Sequence, residues 1–169
     1  MGETRTHRIV VGVEGSGGAG KALRWAISEA RYRNAHIEVV TAYAPTYIPA
    51  APDVGFVPLD PCDIEREVVR LQDSVVASVQ DRIDAAGITV SQTVARGRAA
   101  DVLVQLSDGA DMLVVGNRGR GGFRGLRLGS VSHQIAQHAA CPVMIVRTDL
   151  EPEDWAEIDL AEEPATASN

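Results

Sequence analysis

Cysteine is scarce in this sequence. The two present, Cys62 and Cys141, fall in no metal-ligand spacing, and two are too few for a disulfide framework. No metal site is expected. Aromatic residues make up only 4% of the chain, which points to the aliphatic core of an α/β protein. No apolar run approaches the roughly 20 residues of a membrane span, and no signal peptide precedes Arg8. The expectation is therefore a cytoplasmic protein with no membrane partner. Basic residues are missing from one region altogether. Residues 149–169 hold eight acidic groups and no Lys or Arg. Removing those eight from the 23 acidic residues of the chain leaves 15 against 16 basic ones, so the net charge of -7 belongs to the tail. Residues 148–169 are read as an acidic, disordered tail, and residues 1–147 as one domain, large enough to bury about two-thirds of its unfolded surface.

Within that domain, short apolar runs alternate with helical periodicity. Strands are expected at Arg8 to Val13, Ile37 to Tyr43, Ile88 to Val94, Asp111 to Val115 and Pro142 to Val146. Between them, Lys21 to Arg33 carries Leu23, Ala26, Ile27 and Ala30 at amphipathic spacing. A long helix is expected from Cys62 to Ala86, with Asp60 as N-cap, Pro61 in the first turn and Gly87 as the stop. Ile64, Val68, Leu71, Val75, Val79 and Ile83 would form its inner face. Shorter helices are expected at Ala99 to Ser107 and Val131 to Ala139. Ala44 to Pro61 contains five prolines and reads as an irregular excursion. Strands alternating with helices imply a parallel sheet with helices on both faces, and ligands in such sheets bind beyond the carboxyl ends of the strands.

The most informative stretch follows the fourth strand. Five glycines and four arginines occupy the twelve residues from Gly116 to Arg127. Glycine permits close backbone approach to a ligand, and the guanidinium fork of arginine, Arg118 foremost, suits phosphate. Ser130 stands where an N-cap is expected, at the positive end of the next helix. Strand, glycine loop and capped helix read together as a phosphate cradle. The arginines have no interleaved aromatics except Phe123, and the body of the chain is near neutral, so nucleic acid is not an expected partner. His133 and His138 are five residues apart, off one helical face, and imply neither a metal pair nor a catalytic base.

An earlier glycine cluster fits two other patterns incompletely. Gly15, Gly17 and Gly20 spell G-x-G-x-x-G, but the second strand ends in Thr41-Ala42-Tyr43 with no acid for a dinucleotide ribose. Gly15 to Lys21 nearly spells a P-loop, but Ala22 stands where a metal-binding hydroxyl is required.

The second loop matches fully. Gly116-x2-Gly119-x9-Gly129-Ser130 is the nucleotide motif of the universal stress protein family, which the chain resembles over roughly residues 7 to 147. Ile9 to Ser16, Asp111 to Gly116, Gly129 to Ser132 and Cys141 to Val146 are similar to the family's corresponding segments. The resemblance implies a single-domain, Rossmann-like, open five-stranded parallel sheet in the order 3-2-1-4-5. It further implies ATP, with or without Mg2+, as ligand. Adenine would lie near Ala42 and Val115 and ribose between Glu14 and Gly116. The phosphates would lie on N–H groups around Gly119, Gly129, Ser130 and Val131, beside Arg118. A homodimer through Pro142 to Val146 is also implied. Glu14 departs from the family pattern, which has Asp there, and its added methylene weakens nucleotide binding if it misplaces the carboxylate. The expected activity is nucleotide-dependent binding of an unidentified protein partner, with no catalytic residues. Slow ATP hydrolysis, self-phosphorylation and a nucleotide-free dimeric scaffold are the alternatives.

Overall fold

A computed structural model of the chain describes residues 7–15, 17–44, 47–49, 56–58, 60–119 and 128–147. The acidic tail and the arginines at 120, 124 and 127 lie outside the described residues. In chain order the elements are β1 (His7–Gly12), α1 (Gly17–Arg33), β2 (Ala35–Tyr43), β3 (Tyr47–Pro49), β4 (Phe56–Pro58), α2 (Pro61–Ala77), α3 (Gln80–Ala86), β5 (Val90–Arg96), α4 (Ala99–Leu106), β6 (Met112–Gly116), α5 (Ser130–His138) and β7 (Val143–Val146).

Five strands form one parallel sheet in the order β5-β2-β1-β6-β7, which is the expected 3-2-1-4-5 arrangement. Alternation along β1 divides the core. Ile9 and Val11 face α1, α2 and α3 together with Leu23, Ile27, Ile37, Val39, Val76 and Ile83. Val10 faces α4 and α5 with Val40, Leu103, Leu113, Val115 and Ile135. Because both sheet faces are covered, the inner strands are continuous apolar runs and not alternating ones. The chain winds outward from β1 through β2 to β5, then returns to the other side of β1 as β6. The crevice at this reversal is bordered by the carboxyl ends of β1 and β6.

Three local expectations need correction, and a fourth needs widening. Residues 44–61 are not wholly irregular: Tyr47–Pro49 and Phe56–Pro58 pair as a small antiparallel ribbon, its prolines at strand ends where a missing donor costs little. The expected helix from Cys62 to Ala86 is broken at Ser78 and Val79. The Ser78 hydroxyl donates back to the Val75 carbonyl at 2.6 Å, and Val79 leaves helical geometry at φ -126° while staying buried. The expected inner face is the one that packs, with Val79 and Ile83 in the core and Val75 against it, and it widens to take in Gln72 and Val76. Ile64, Val68 and Leu71 are only half-buried, whereas Gln72 is buried with Val76. The Gln72 amide nitrogen donates to the Val39 and Thr93 carbonyls at 3.0 and 3.1 Å, which meets its hydrogen-bonding demand inside the core. Finally, α1 begins at Gly17, four residues before the expected Lys21. Gly17, Gly18 and Gly20 thus belong to a helical turn and form no loop. Gly15, at φ 75°, makes the turn that precedes them. Asp60 does cap α2 as expected, accepting from the Cys62 N–H at 2.8 Å.

Candidate functional site

A cavity of about 410 Å3 opens at the reversal of strand order, a volume within the range of small-ligand pockets. The strand ends contribute Gly12, Val13, Glu14, Val40, Ala42, Val115 and Gly116; α4 contributes Ala99 and Leu103. The remaining described lining comes from Arg118, Gly119 and the stretch Leu128 to Ser132. All nine residues singled out from the sequence (Glu14, Ala42, Val115, Gly116, Arg118, Gly119, Gly129, Ser130 and Val131) therefore meet at one cavity.

Three hydrogen bonds hold the side of the cavity formed by the motif together. The Asn117 N–H donates to the Val146 carbonyl at 2.7 Å, tying the loop after β6 to the neighbouring β7. The Gly129 N–H donates to the Asn117 carbonyl at 2.8 Å, closing the two ends of the long motif spacing on each other. The Ser132 hydroxyl donates to the Gly116 carbonyl at 2.7 Å, fastening the first turn of α5 to the end of β6. These bonds revise the expected roles. The Gly129 N–H is committed within the protein, and Gly129 itself, extended at φ -74° and ψ 164°, is the N-cap of α5. Ser130 is the first helical residue and makes no capping bond; its exposed hydroxyl borders the cavity. A glycine N-cap leaves the first-turn N–H groups of Ser130 and Val131 without an intrahelical or side-chain acceptor, at the positive end of the helix. Such a helix start is suited to an anion.

None of the motif glycines takes a left-handed backbone conformation, and a Cβ on any of them would make only ordinary contacts within the protein. A Cβ on Gly116 would lie 3.4 Å from the backbone of Gly18, so the loop after β6 packs directly on the first turn of α1. A Cβ on Gly129 would lie 3.5 Å from the Asn117 carbonyl oxygen and 3.6 Å from the Arg118 Cα, between the two halves of the motif. At Gly119 the nearest atom would be Glu14 Oε1, at 3.5 Å. The long carboxylate of Glu14 therefore rests beside Gly119.

Residues that the sequence reading passed over also line the cavity. Gly12 is the clearest: a Cβ there would come 2.8 Å from Leu103 Cδ1 and 3.1 Å from Val115 Cγ1, so glycine lets α4 close on the sheet. An isolated glycine in a buried strand was the available signal. Val13, Val40, Ala99, Leu103 and the half-exposed Leu128 supply an apolar wall that only the tertiary fold assembles. Among the described residues there is no group of three or more potential metal ligands, and no helix is long and apolar enough to cross a membrane. Burial pushes the Cys141 thiol up from its ordinary range.

Fold and cavity together define an open, doubly wound α/β protein with a small-ligand cavity at its topological switch. The model of the universal stress protein family matches residues 5–147, and the chain belongs to that family. It is 31% identical over 152 residues to universal stress protein Rv2624c of Mycobacterium tuberculosis, an alignment covering 89% of this chain and 52% of that protein. The chain thus spans about half the length of the curated relatives it matches. Among solved structures, a universal stress protein in complex with cAMP is 30% identical at a TM-score of 0.61, covering 84% of this chain and 97% of the other. The universal stress protein from Archaeoglobus fulgidus in complex with dAMP shares the fold at 20% identity, with a TM-score of 0.57 over 85% of this chain and 99% of the other.

Proposed function

We propose that this chain is an adenine-nucleotide-binding regulatory module, ATP being among its ligands, which acts by binding and not by turnover. The observation that carries the proposal is the uncapped start of α5. Two backbone donors without acceptors face a cavity whose other walls are apolar and suited to a base. The relative solved with cAMP, at 30% identity, supports an adenine nucleotide as the ligand class. Adenine fits beside Ala42, Val40 and Val115, ribose beside Glu14 and Gly116, and phosphate at Ser130 and Val131 with Arg118 near. Turnover is disfavoured because the described lining holds one carboxylate, Glu14, and no histidine or lysine to act as a general base.

A bound nucleotide regulates only if two states of the protein bind it unequally. The edge strand β7 is the proposed surface of a symmetric homodimer, since its outer backbone groups are unpaired in the sheet order.

Native mass spectrometry of the purified protein, followed by calorimetric titration of the ligand-free form with AMP, cyclic AMP and ATP, tests the function. The expected result is saturable binding of at least one adenine nucleotide per chain. Absence of binding by all three, in a protein that melts cooperatively, would refute it.

A further inference from the structure

A second cavity, of about 230 Å3, lies between α1 and α3 and shares no lining residue with the first. Arg24 and Arg31, seven residues apart, stand on one side of α1, and Arg82 of α3 meets them across the groove. Three guanidinium groups thus line one small hollow, and no carboxylate lines it with them. The acids nearest in sequence are engaged elsewhere or turned away. Glu29 accepts from Arg33, Asp84 accepts from Gln80, and Asp81 does not line the hollow. Among the described residues none of the three guanidiniums is ion-paired or hydrogen-bonded. Arg24 is the most enclosed. Gly20, one turn earlier, has no side chain, and Arg24 Nη1 lies 3.6 Å from where a Cβ there would be, so the guanidinium rests along the helix. Its Nε is closed off from solvent and has no acceptor. A cation already stripped of part of its water attracts an anion more strongly than a hydrated one.

Charge balance selects the ligand. Both helices end beside the hollow, and each carboxyl end counts as no more than about half a negative charge. Three arginines less two such ends leave about two positive charges uncompensated. A phosphate monoester carries about two negative charges at neutral pH and presents three oxygens to guanidinium forks, which a single carboxylate cannot match. Ile27, Ala85 and the exposed ring of Tyr32 add an apolar side. We propose that the hollow between α1 and α3 is an anion site separate from the nucleotide cavity, and that it takes a doubly charged phosphate group, free or as the monoester of a small organic group. Arg31 and Arg82 are exposed, so occupancy falls as salt screens them.

The test is calorimetric titration of the full chain, in low salt at about pH 8, where a monoester is fully ionised. The probes are phenyl phosphate, inorganic phosphate and glutarate, a dicarboxylate of the same charge. Saturable binding of at least one phosphate is expected, at least about five-fold tighter than that of glutarate. The tighter of the two phosphates identifies the source as an organic monoester or the free ion. Arg31→Gln combined with Arg82→Gln is expected to weaken phosphate by at least about ten-fold, the size of one charge-assisted interaction. Should the pair lower the melting temperature, Arg82→Gln alone is expected to cost about five-fold. Three results overturn the proposal: no saturable binding of either phosphate by the unaltered chain, glutarate binding as tightly as phosphate, or phosphate binding undiminished in a variant that melts like its parent. The last of these would put the phosphate at another site, the start of α5 included.

Discussion

The two ends of the sheet handle polar groups in opposite ways. At the amino end, Arg8 is enclosed by acceptors. Its guanidinium donates to Glu38 at 2.7 Å and to the carbonyls of Leu106 and Asp108 at 3.1 and 2.7 Å, which also ties down the carboxyl end of α4. Its backbone N–H donates to the Asp111 carboxylate, whose own N–H returns a bond to the Arg8 carbonyl, both at 2.8 Å. Glu38 accepts a second bond from the Thr93 hydroxyl. At the carboxyl end, α5 starts without a side-chain cap, and its first backbone donors border a cavity lined by glycines with Glu14 and Arg118. Buried polar groups are normally satisfied because leaving them open costs free energy. A satisfied end therefore marks where the fold is fastened, and an open end marks where a ligand completes it.

The comparison breaks most visibly at Gly129. Its extended backbone accommodates any residue, so Gly129→Val introduces no conformational strain. A Cβ alone would make ordinary contacts at 3.5 to 3.8 Å with the Asn117 to Gly119 backbone, but the valine methyls reach further and force the motif halves apart. Nucleotide affinity is expected to fall by at least about 100-fold, while the melting temperature falls by only a few degrees, the usual scale of a modest overpacking cost. Calorimetry beside a thermal melt separates the two readouts. Undiminished affinity in a folded variant would remove the cradle from the binding site.

The opposite end should respond in the opposite sense. Arg8→Met keeps the aliphatic stem and deletes the charge, leaving Glu38 and two helix-end carbonyls with fewer donors. The pair is only partly enclosed, with side-chain exposures of 23% and 14%, so the expected loss is about 2 to 3 kcal/mol, below the full cost of breaking a buried pair. Denaturant unfolding measures it, and nucleotide affinity is expected to stay within about two-fold. A variant as stable as its parent would show that the amino-end network contributes nothing net.

How much of this was legible in the sequence depends on how local each cause is. Strands β1 and β6 were readable because a parallel strand buried on both faces needs an unbroken apolar run, and Ile9 to Val11 and Met112 to Val115 are such runs. Gly116, Gly119 and Gly129 were readable because their spacing is itself the signal, and the fold does gather them at one cavity. Gln72 was not, because a glutamine on a helix reads as solvent-facing until two strands present carbonyls to it. Arg8 was not, because its partners lie up to about a hundred residues away. Ser130 was placed one position early: Asn117 pins Gly129 as the N-cap, a contact invisible to local capping rules. The proximity of Glu14 to Gly119 could be anticipated only as a matter of reach, not of direction.

The smallest expected effect sharpens the contrast most, because Ser132 is a satisfied side chain at the open end. It is 4% exposed and borders the cavity, yet its hydroxyl donates to the Gly116 carbonyl and so faces the protein and not a ligand. Ser132→Ala removes one neutral hydrogen bond and leaves a strand-end carbonyl without this donor, at a cost of about 1 kcal/mol. For a domain of this length that is a melting shift of about 2 to 4 °C in the absence of nucleotide. Affinity should fall less than three-fold, since the Ser130 and Val131 donors remain and only the seating of α5 on β6 is loosened. The two readouts decide between a fastening role and a binding role. A normal melting temperature with a large loss of affinity would mean that the Ser132 hydroxyl turns to the ligand. The open end would then extend one residue further along α5, and its fastening to β6 would rest on packing by Ile135 and Val131 instead of on this hydrogen bond.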